Sequence, residues 1–168
     1  MSTSPTTSRP SREEVLRQHA VVASLRSTCS RGQVGAVVSR HGRILVTGYN
    51  GAPAGMPHCD HTCNCGYPGI EGLMFANTHL SDCASLAPCT VSLHAEENCI
   101  AYAARWGISL EGGEMDTTDS PCMNCARLII NTGIKRVRYS RLYRVTDGLN
   151  LLEAAGVYFW QHGTFVDE

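Results

Sequence analysis

The chain lacks a long hydrophobic run. No stretch of its 168 residues is long enough to span a membrane as a helix, and residues 1–10 hold no apolar core of the kind an export signal needs. It also lacks a surplus of either charge: 14 Lys and Arg stand against 15 Asp and Glu, for a formal net charge of −1. That balance argues against a protein that grips a nucleic-acid backbone, which carries a basic excess. A small anion stays open as a ligand, because a few arginines suffice for one phosphate. Internal repeats are missing as well, which excludes a stacked-repeat architecture. With 43% hydrophobic and 17% charged residues, the composition fits a soluble globular protein, and the length fits one domain with its own core. Residues 1–10 read as a disordered tail and 11–168 as the domain.

Cysteine is what the chain has in excess. Nine cysteines without an export signal point to metal ligation rather than to a secreted disulfide scaffold, and the odd count agrees. Most of them fall between residues 50 and 92, where Gly, Pro, Cys and His are frequent and periodicity is weak. A structureless loop this long is unusual inside a compact domain, so something else must order it.

The rest of the chain alternates helices and strands. Ser11-Arg12-Glu13-Glu14 has the form of a capping box and predicts a helix to about Ser27, with Val15, Ala20, Val22, Ala23 and Leu25 on its apolar side. Val34–Val38 and Ile44–Gly48 read as strands joined by a hairpin at His41-Gly42. A helix is expected from His94 to Gly107 and a weak strand from Met115 to Thr118. Ser120 is expected to cap a further helix with Pro121 at its first position, ending at Gly133. Val137–Tyr139 reads as a strand, Asp147 as the cap of a short helix through Ala155, and Val157–Trp160 as the last strand. Strands alternating with helices predict an α/β layer architecture.

Two short segments carry the chemistry. His94-Ala95-Glu96 and Pro121-Cys122-Met123-Asn124-Cys125 supply one imidazole, one carboxylate and a thiol pair. Cys122 and Cys125 lie on one face of a helix start, where the dipole favours thiolate. With His94 they make three zinc ligands and leave a fourth position for water, the arrangement of a catalytic rather than a closed site. Glu96, two residues past His94, is not expected to be a ligand and is the candidate general base and acid for the proton of that water. Glu97 reads as structural. A closed structural zinc site, with Cys99 or Cys89 as fourth ligand, is the competing reading.

The pattern His-x-Glu followed by Pro-Cys-x-x-Cys is the signature of zinc-dependent nucleobase deaminases. The flanks narrow the resemblance. Ser27-Thr28-Cys29-Ser30-Arg31, Val34-Gly35-Ala36-Val37-Val38, Gly48-Tyr49-Asn50-Gly51-Ala52-Pro53, His94-Ala95-Glu96-Glu97-Asn98-Cys99-Ile100 and Ser120-Pro121-Cys122-Met123-Asn124-Cys125-Ala126 resemble the deoxycytidylate (dCMP) deaminase family in the expected order. Departures fall at Cys99, Asp116 and Asp119, where the family is mostly apolar or has Ala. The resemblance implies a three-layer α/β/α cytidine-deaminase-like fold with a central mixed five-stranded sheet and a Cys/His-rich insert at about 50–92. It implies a cytoplasmic enzyme that converts dCMP to dUMP on a catalytic Zn2+. It further implies that Asn50 binds the deoxyribose, that Ala95 and Tyr139 border the base, and that Arg31 or Arg26 meets the 5′-phosphate. Tyr102 and Arg105 match positions that relatives use for regulation by dCTP and dTTP, and relatives are often homo-oligomers, commonly hexamers.

In the insert, Cys59, Cys63, Cys65, Cys83 and Cys89, with His58 and His61, are candidate ligands for at least one structural zinc that would order the segment. Free thiols in a mobile loop and two insert zincs are the alternatives. A 5-methyl or 5-hydroxymethyl dCMP is the second substrate reading, and a non-catalytic zinc-stabilised binding module is the rival from another class. The module reading leaves Glu96 without a purpose.

Overall fold

A computed structural model describes residues 9–29, 32–56 and 92–163. Among these, the elements run α1 (Arg12–Ser24), β1 (Gly35–Arg40), β2 (Arg43–Tyr49), α2 (Ala95–Trp106), β3 (Glu114–Asp119), α3 (Met123–Asn131), β4 (Arg136–Arg141), α4 (Asp147–Ala154) and β5 (Tyr158–Gln161). The strands form one five-stranded sheet in the order β2-β1-β3-β4-β5. β1 is antiparallel to β2 and β3, whereas β3, β4 and β5 are mutually parallel. The parallel half needs crossover connections, and α3 and α4 supply them. This is the mixed-sheet α/β fold that the sequence predicts.

Alternation along β1 sorts the two faces. Ala36 and Val38 join the main core with Cys99 and Ala103 of α2, Ala126 and Ile129 of α3, and Leu149 and Leu152 of α4. Val37 points the other way, into a small cluster with Leu16 and Ala20 of α1. Three helices therefore cover one face and α1 the other. The hairpin closes as expected, with His41 at φ 51° and Gly42 at φ 73°, the two positive values of a type I′ turn.

Several local expectations shift. Ser11 Oγ accepts from Glu14 N at 3.0 Å, so the N-cap stands, but α1 ends at Ser24 and, of the expected apolar set, fully buries only Ala20, together with Leu16 and Ser24. Val22 and Leu25 are exposed. Close approach chose this face: a Cβ on Gly35 would lie 2.0 Å from Ala20 O and 2.6 Å from Ser24 N, so only small residues fit between helix and strand. Ser120 does not cap α3. Cys122 is the N-cap, and Ser120 Oγ instead accepts from Tyr143 N at 2.8 Å. Thr146, not Asp147, caps α4.

Candidate active site

The site forms where two helix starts meet the end of the antiparallel hairpin. His94 is the N-cap of α2, and Gly107 ends that helix in the left-handed region. Leu93 and Gly51 exchange backbone hydrogen bonds at 3.1 and 2.9 Å, which fixes the segment before His94 beside Asn50. Asn98 Nδ2 donates to Tyr49 O at 2.9 Å and ties α2 to the end of β2. Glu97 Oε2 accepts from His94 N at 2.8 Å, the structural role expected of it. Gly48 allows this closeness, since a Cβ there would lie 2.4 Å from Ala95 O and 2.9 Å from Cys99 Sγ.

His94 Nδ1 lies 3.4 Å from Cys122 Sγ and 3.4 Å from Cys125 Sγ, and the two sulfurs are 3.6 Å apart. A tetrahedral zinc with ordinary Zn–S and Zn–N bonds sets its ligand atoms roughly 3.8 Å (S to S) and roughly 3.6 Å (N to S) apart. The triangle fits that metal to within a few tenths of an ångström. Among the described residues these three alone form the ligand cluster, and Glu96 stays outside it. Cys99, fourth ligand in the closed-site reading, is fully buried elsewhere, with its Sγ donating to Ala36 O at 3.5 Å.

Electrostatics agree with a cation site. Hydrogen bonding from Cys125 and His94 drops the Cys122 thiol to about 3. The same sulfur–sulfur hydrogen bond, with burial, pushes Cys125 up. His94 is raised to about 9, first by its hydrogen bond with Cys122. Zinc binds thiolate and neutral imidazole, so its binding releases whatever protons these three groups carry. Burial pushes the Glu96 carboxyl to about 7. A metal charge beside it pulls in the opposite direction.

A cleft of about 460 Å³ opens over this corner. His94, Ala95, Glu96 and Cys122 line it together with Asn50, Cys29, Asp119, Arg141, Tyr143 and Arg144. Asn50 is buried, accepts from Val34 N at 2.8 Å and donates to Gly32 O at 2.9 Å, so it clamps the strand ends while facing the cleft. Ala95 lies in the cleft wall as expected, whereas Tyr139 and Arg26 do not. Tyr139 is 7% exposed within the main core and is not part of the cleft wall. Arg26 is exposed beyond α1 and outside the wall. Arg31 lies outside the described residues, as do Cys59, Cys63, Cys65, Cys83, Cys89, His58 and His61. Tyr102 and Arg105 sit on the outer side of α2, where Trp106 packs 6.1 Å from the Tyr102 ring and 5.7 Å from the Arg105 guanidinium.

Arg141, Tyr143 and Arg144 are the cleft residues that sequence reasoning missed. Their one signal is position, at or just past the end of β4, a strand that runs parallel to the strand leading into Pro121-Cys122. In open α/β sheets, ligands bind outside the carboxyl ends of such strands.

An imidazole and two thiols at paired helix starts, with a buried carboxylate beside them in an open cleft, define a metal-dependent hydrolytic centre. Residues 10–141 match the cytidine and deoxycytidylate deaminase zinc-binding region, and the chain belongs to that family. It is 40% identical over 134 residues to the deoxycytidylate deaminase of Mycobacterium phage D29, covering 80% of this chain and 98% of that one. Against the deoxycytidylate deaminase of Enterobacteria phage T2 it is 36% identical over 151 residues, 75% of this chain and 78% of the relative. The crystal structure of dCMP deaminase from cyanophage S-TIM5, in complex with dCMP and dUMP, superposes with a TM-score of 0.71 at 32% identity, covering 92% of this chain and 98% of that one.

Proposed function

We propose that this protein is a zinc-dependent hydrolase that deaminates dCMP to dUMP with release of ammonia, supplying the precursor of thymidylate. The observation that carries the reading is the meeting of three kinds of group in one cleft. These are the His94–Cys122–Cys125 corner, the buried carboxylate of Glu96 and the arginines Arg141 and Arg144. When bound, zinc supplies a Lewis acid that brings the pKa of a coordinated water down to about 7.

The remaining steps belong to the chain. Glu96 takes a proton from the attacking water and gives it to N3 of the cytosine; it then takes the second proton, from the hydroxyl newly formed on C4, and gives it to the amine, which leaves as ammonia. Burial raises its carboxyl and so favours return of the proton, while the metal charge favours the carboxylate that first accepts it. Ala95, with no side chain beyond Cβ, leaves room for the ring. Asn50 has hydrogen-bonding capacity beyond its two backbone contacts for a sugar hydroxyl. Arg141 and Arg144 are cations of the cleft wall placed to receive the 5′-phosphate, a role for which Arg26 lies outside the wall.

Homo-oligomerisation, a hexamer first, and control by dCTP and dTTP rest on the family resemblance. The exposed Tyr102, Arg105 and Trp106 on α2 are the candidate surface. A second, structural zinc on cysteines of the 50–92 insert rests on sequence alone, and metal stoichiometry with its loss in Cys89→Ser tests it. A cytoplasmic location rests on the nucleotide substrate.

Ammonia release from dCMP, deoxycytidine and a cytosine-containing oligonucleotide tests the function. Turnover of dCMP is expected, and turnover of only the other two overturns the reading. Glu96→Gln should keep its zinc and lose on the order of 10²- to 10⁴-fold in kcat.

A further inference from the structure

Asp119 stands where the sequence pattern leads one to expect an apolar residue, at the last position of β3. In the parallel register it lies opposite Arg141, the last residue of β4. Its Oδ2 accepts from Arg141 Nη2 at 2.9 Å and from Thr118 Oγ1 at 3.3 Å. Thr118 Oγ1 in turn accepts from Gly35 N at 3.2 Å, so the hydroxyl that holds Asp119 is itself fixed to β1. The Asp119 side chain is 19% exposed and that of Arg141 is 64% exposed. The carboxylate is thus the anchored partner and the guanidinium the free one. An Arg has five donors in a fixed fork, and one hydrogen bond to Asp119 leaves others for a ligand.

The segment after Arg141 is fastened to the same place. Ser120 N donates to Arg141 O at 2.8 Å, and Ser120 Oγ accepts from Tyr143 N at 2.8 Å. The turn that delivers Cys122 to the metal corner therefore also fixes the rim that carries Arg141, Tyr143 and Arg144. Asp119, Arg141, His94 and Glu96 all line the one cleft.

We propose that Asp119 is a positioning residue for substrate recognition. It holds the Arg141 guanidinium in the orientation that receives the 5′-phosphate, so that ordering a long side chain is not left to the moment of binding. This rests on the reading of the cleft as a dCMP site. The opposing effect is direct repulsion between the carboxylate and the phosphate. Preorganisation outweighs it, because an unrestrained, mostly exposed Arg loses several rotatable bonds' worth of freedom on binding, whereas solvent screens the repulsion.

The test uses the zinc-loaded full chain and compares wild type, Asp119→Ala, Asp119→Asn, Arg141→Ala and Asp119→Ala/Arg141→Ala. The readouts are kcat and KM for dCMP and the competitive inhibition constant of dUMP. Asp119→Ala should raise KM and the dUMP constant roughly three- to tenfold, the size of freezing one flexible side chain, with kcat changed much less. Asp119→Asn keeps an acceptor oxygen and should fall between wild type and Asp119→Ala. The double variant should be no worse than Arg141→Ala alone. Unchanged or tighter dUMP binding in Asp119→Ala overturns the proposal, as do additive losses in the double variant. So does a fall in kcat at constant KM, or a loss of zinc and folded circular dichroism in both Asp119 variants. Failure of the substrate reading appears separately and earlier, as wild-type protein that releases no ammonia from dCMP.

Discussion

Asp116–Arg138 and Asp119–Arg141 cross the same two strands three positions apart. Alternation sends them to opposite sides of the sheet. On the α1 side, Asp116 is fully buried and meets Arg138 through two bonds, Nε to Oδ1 at 2.7 Å and Nη2 to Oδ2 at 2.9 Å. Glu114 and Glu13 each accept one further bond from Arg138, and the Trp160 ring covers its guanidinium at 5.5 Å. On the cleft side, Asp119 meets Arg141 by one hydrogen bond, and the guanidinium stays mostly in solvent. The first pair is buried and structural. The second is open at one end, and a ligand can complete it. Residue identity is the same in both, so burial and partner number decide which pair supports the fold and which faces substrate.

Breaking the buried pair should have the largest effect. Asp116→Ala leaves Arg138 charged and short of its bidentate partner, at a cost of about 3–5 kcal/mol, with Glu114 and Glu13 keeping it toward the lower end. Urea denaturation measures this, and a loss no larger than that of Asp119→Ala would erase the distinction between the pairs. Next in size is Gly48→Ala, whose added Cβ would meet Ala95 O at 2.4 Å and Cys99 N at 2.8 Å. Pushing α2 off β2 should cost about 1–3 kcal/mol, and kcat should fall with it, because α2 starts at His94 and carries Glu96. Asp119→Ala comes third, and the same urea titration should show a loss within about 1 kcal/mol, as for other exposed pairs.

The smallest effect is a pH dependence on the α1 side. Hydrogen bonds, first from Arg17 and then from Gln18, hold the Glu14 carboxyl down from 4.5 to about 2. A carboxyl whose pKa is lower in the folded state adds stability above its unfolded value, and that stability is lost as pH falls from 4.5 toward 2. The Glu14 side chain is 37% exposed, so solvent screening limits the contribution to about 0.5 kcal/mol or less. Thermal melts of wild type and Glu14→Gln should therefore differ slightly at pH 6 and converge near pH 2 to 3. Equal melting points throughout would mean the Arg17 pair adds nothing.

The metal corner was legible because its ligands sit in two short segments whose spacing follows from helix geometry. Element order was legible from turns and caps, as with Ser11, His41-Gly42 and Gly107. The α1 face was not, because smallness at Ala20, Ser24 and Gly35, rather than hydrophobicity, chose which side packs. Tyr139 reads equally as base-stacking or core from its strand position, and only packing put it in the core. Arg26, near the first strand in the chain, lies outside the cleft wall, and Arg31 lies outside the described residues. The parallel crossover through α3 brings Arg141 to the cleft from later in the chain.

The sequence by itself determined the chemistry: an imidazole, two thiols and a carboxylate at helix starts are a local arrangement, set by hydrogen-bonding geometry within a few residues. Tertiary structure alone decided which of two aspartates on one strand is sealed under α1 and which faces the cleft. That choice depends on the pairing of β3 with β4 and on what each face of the sheet buries, and neither is encoded within any short segment.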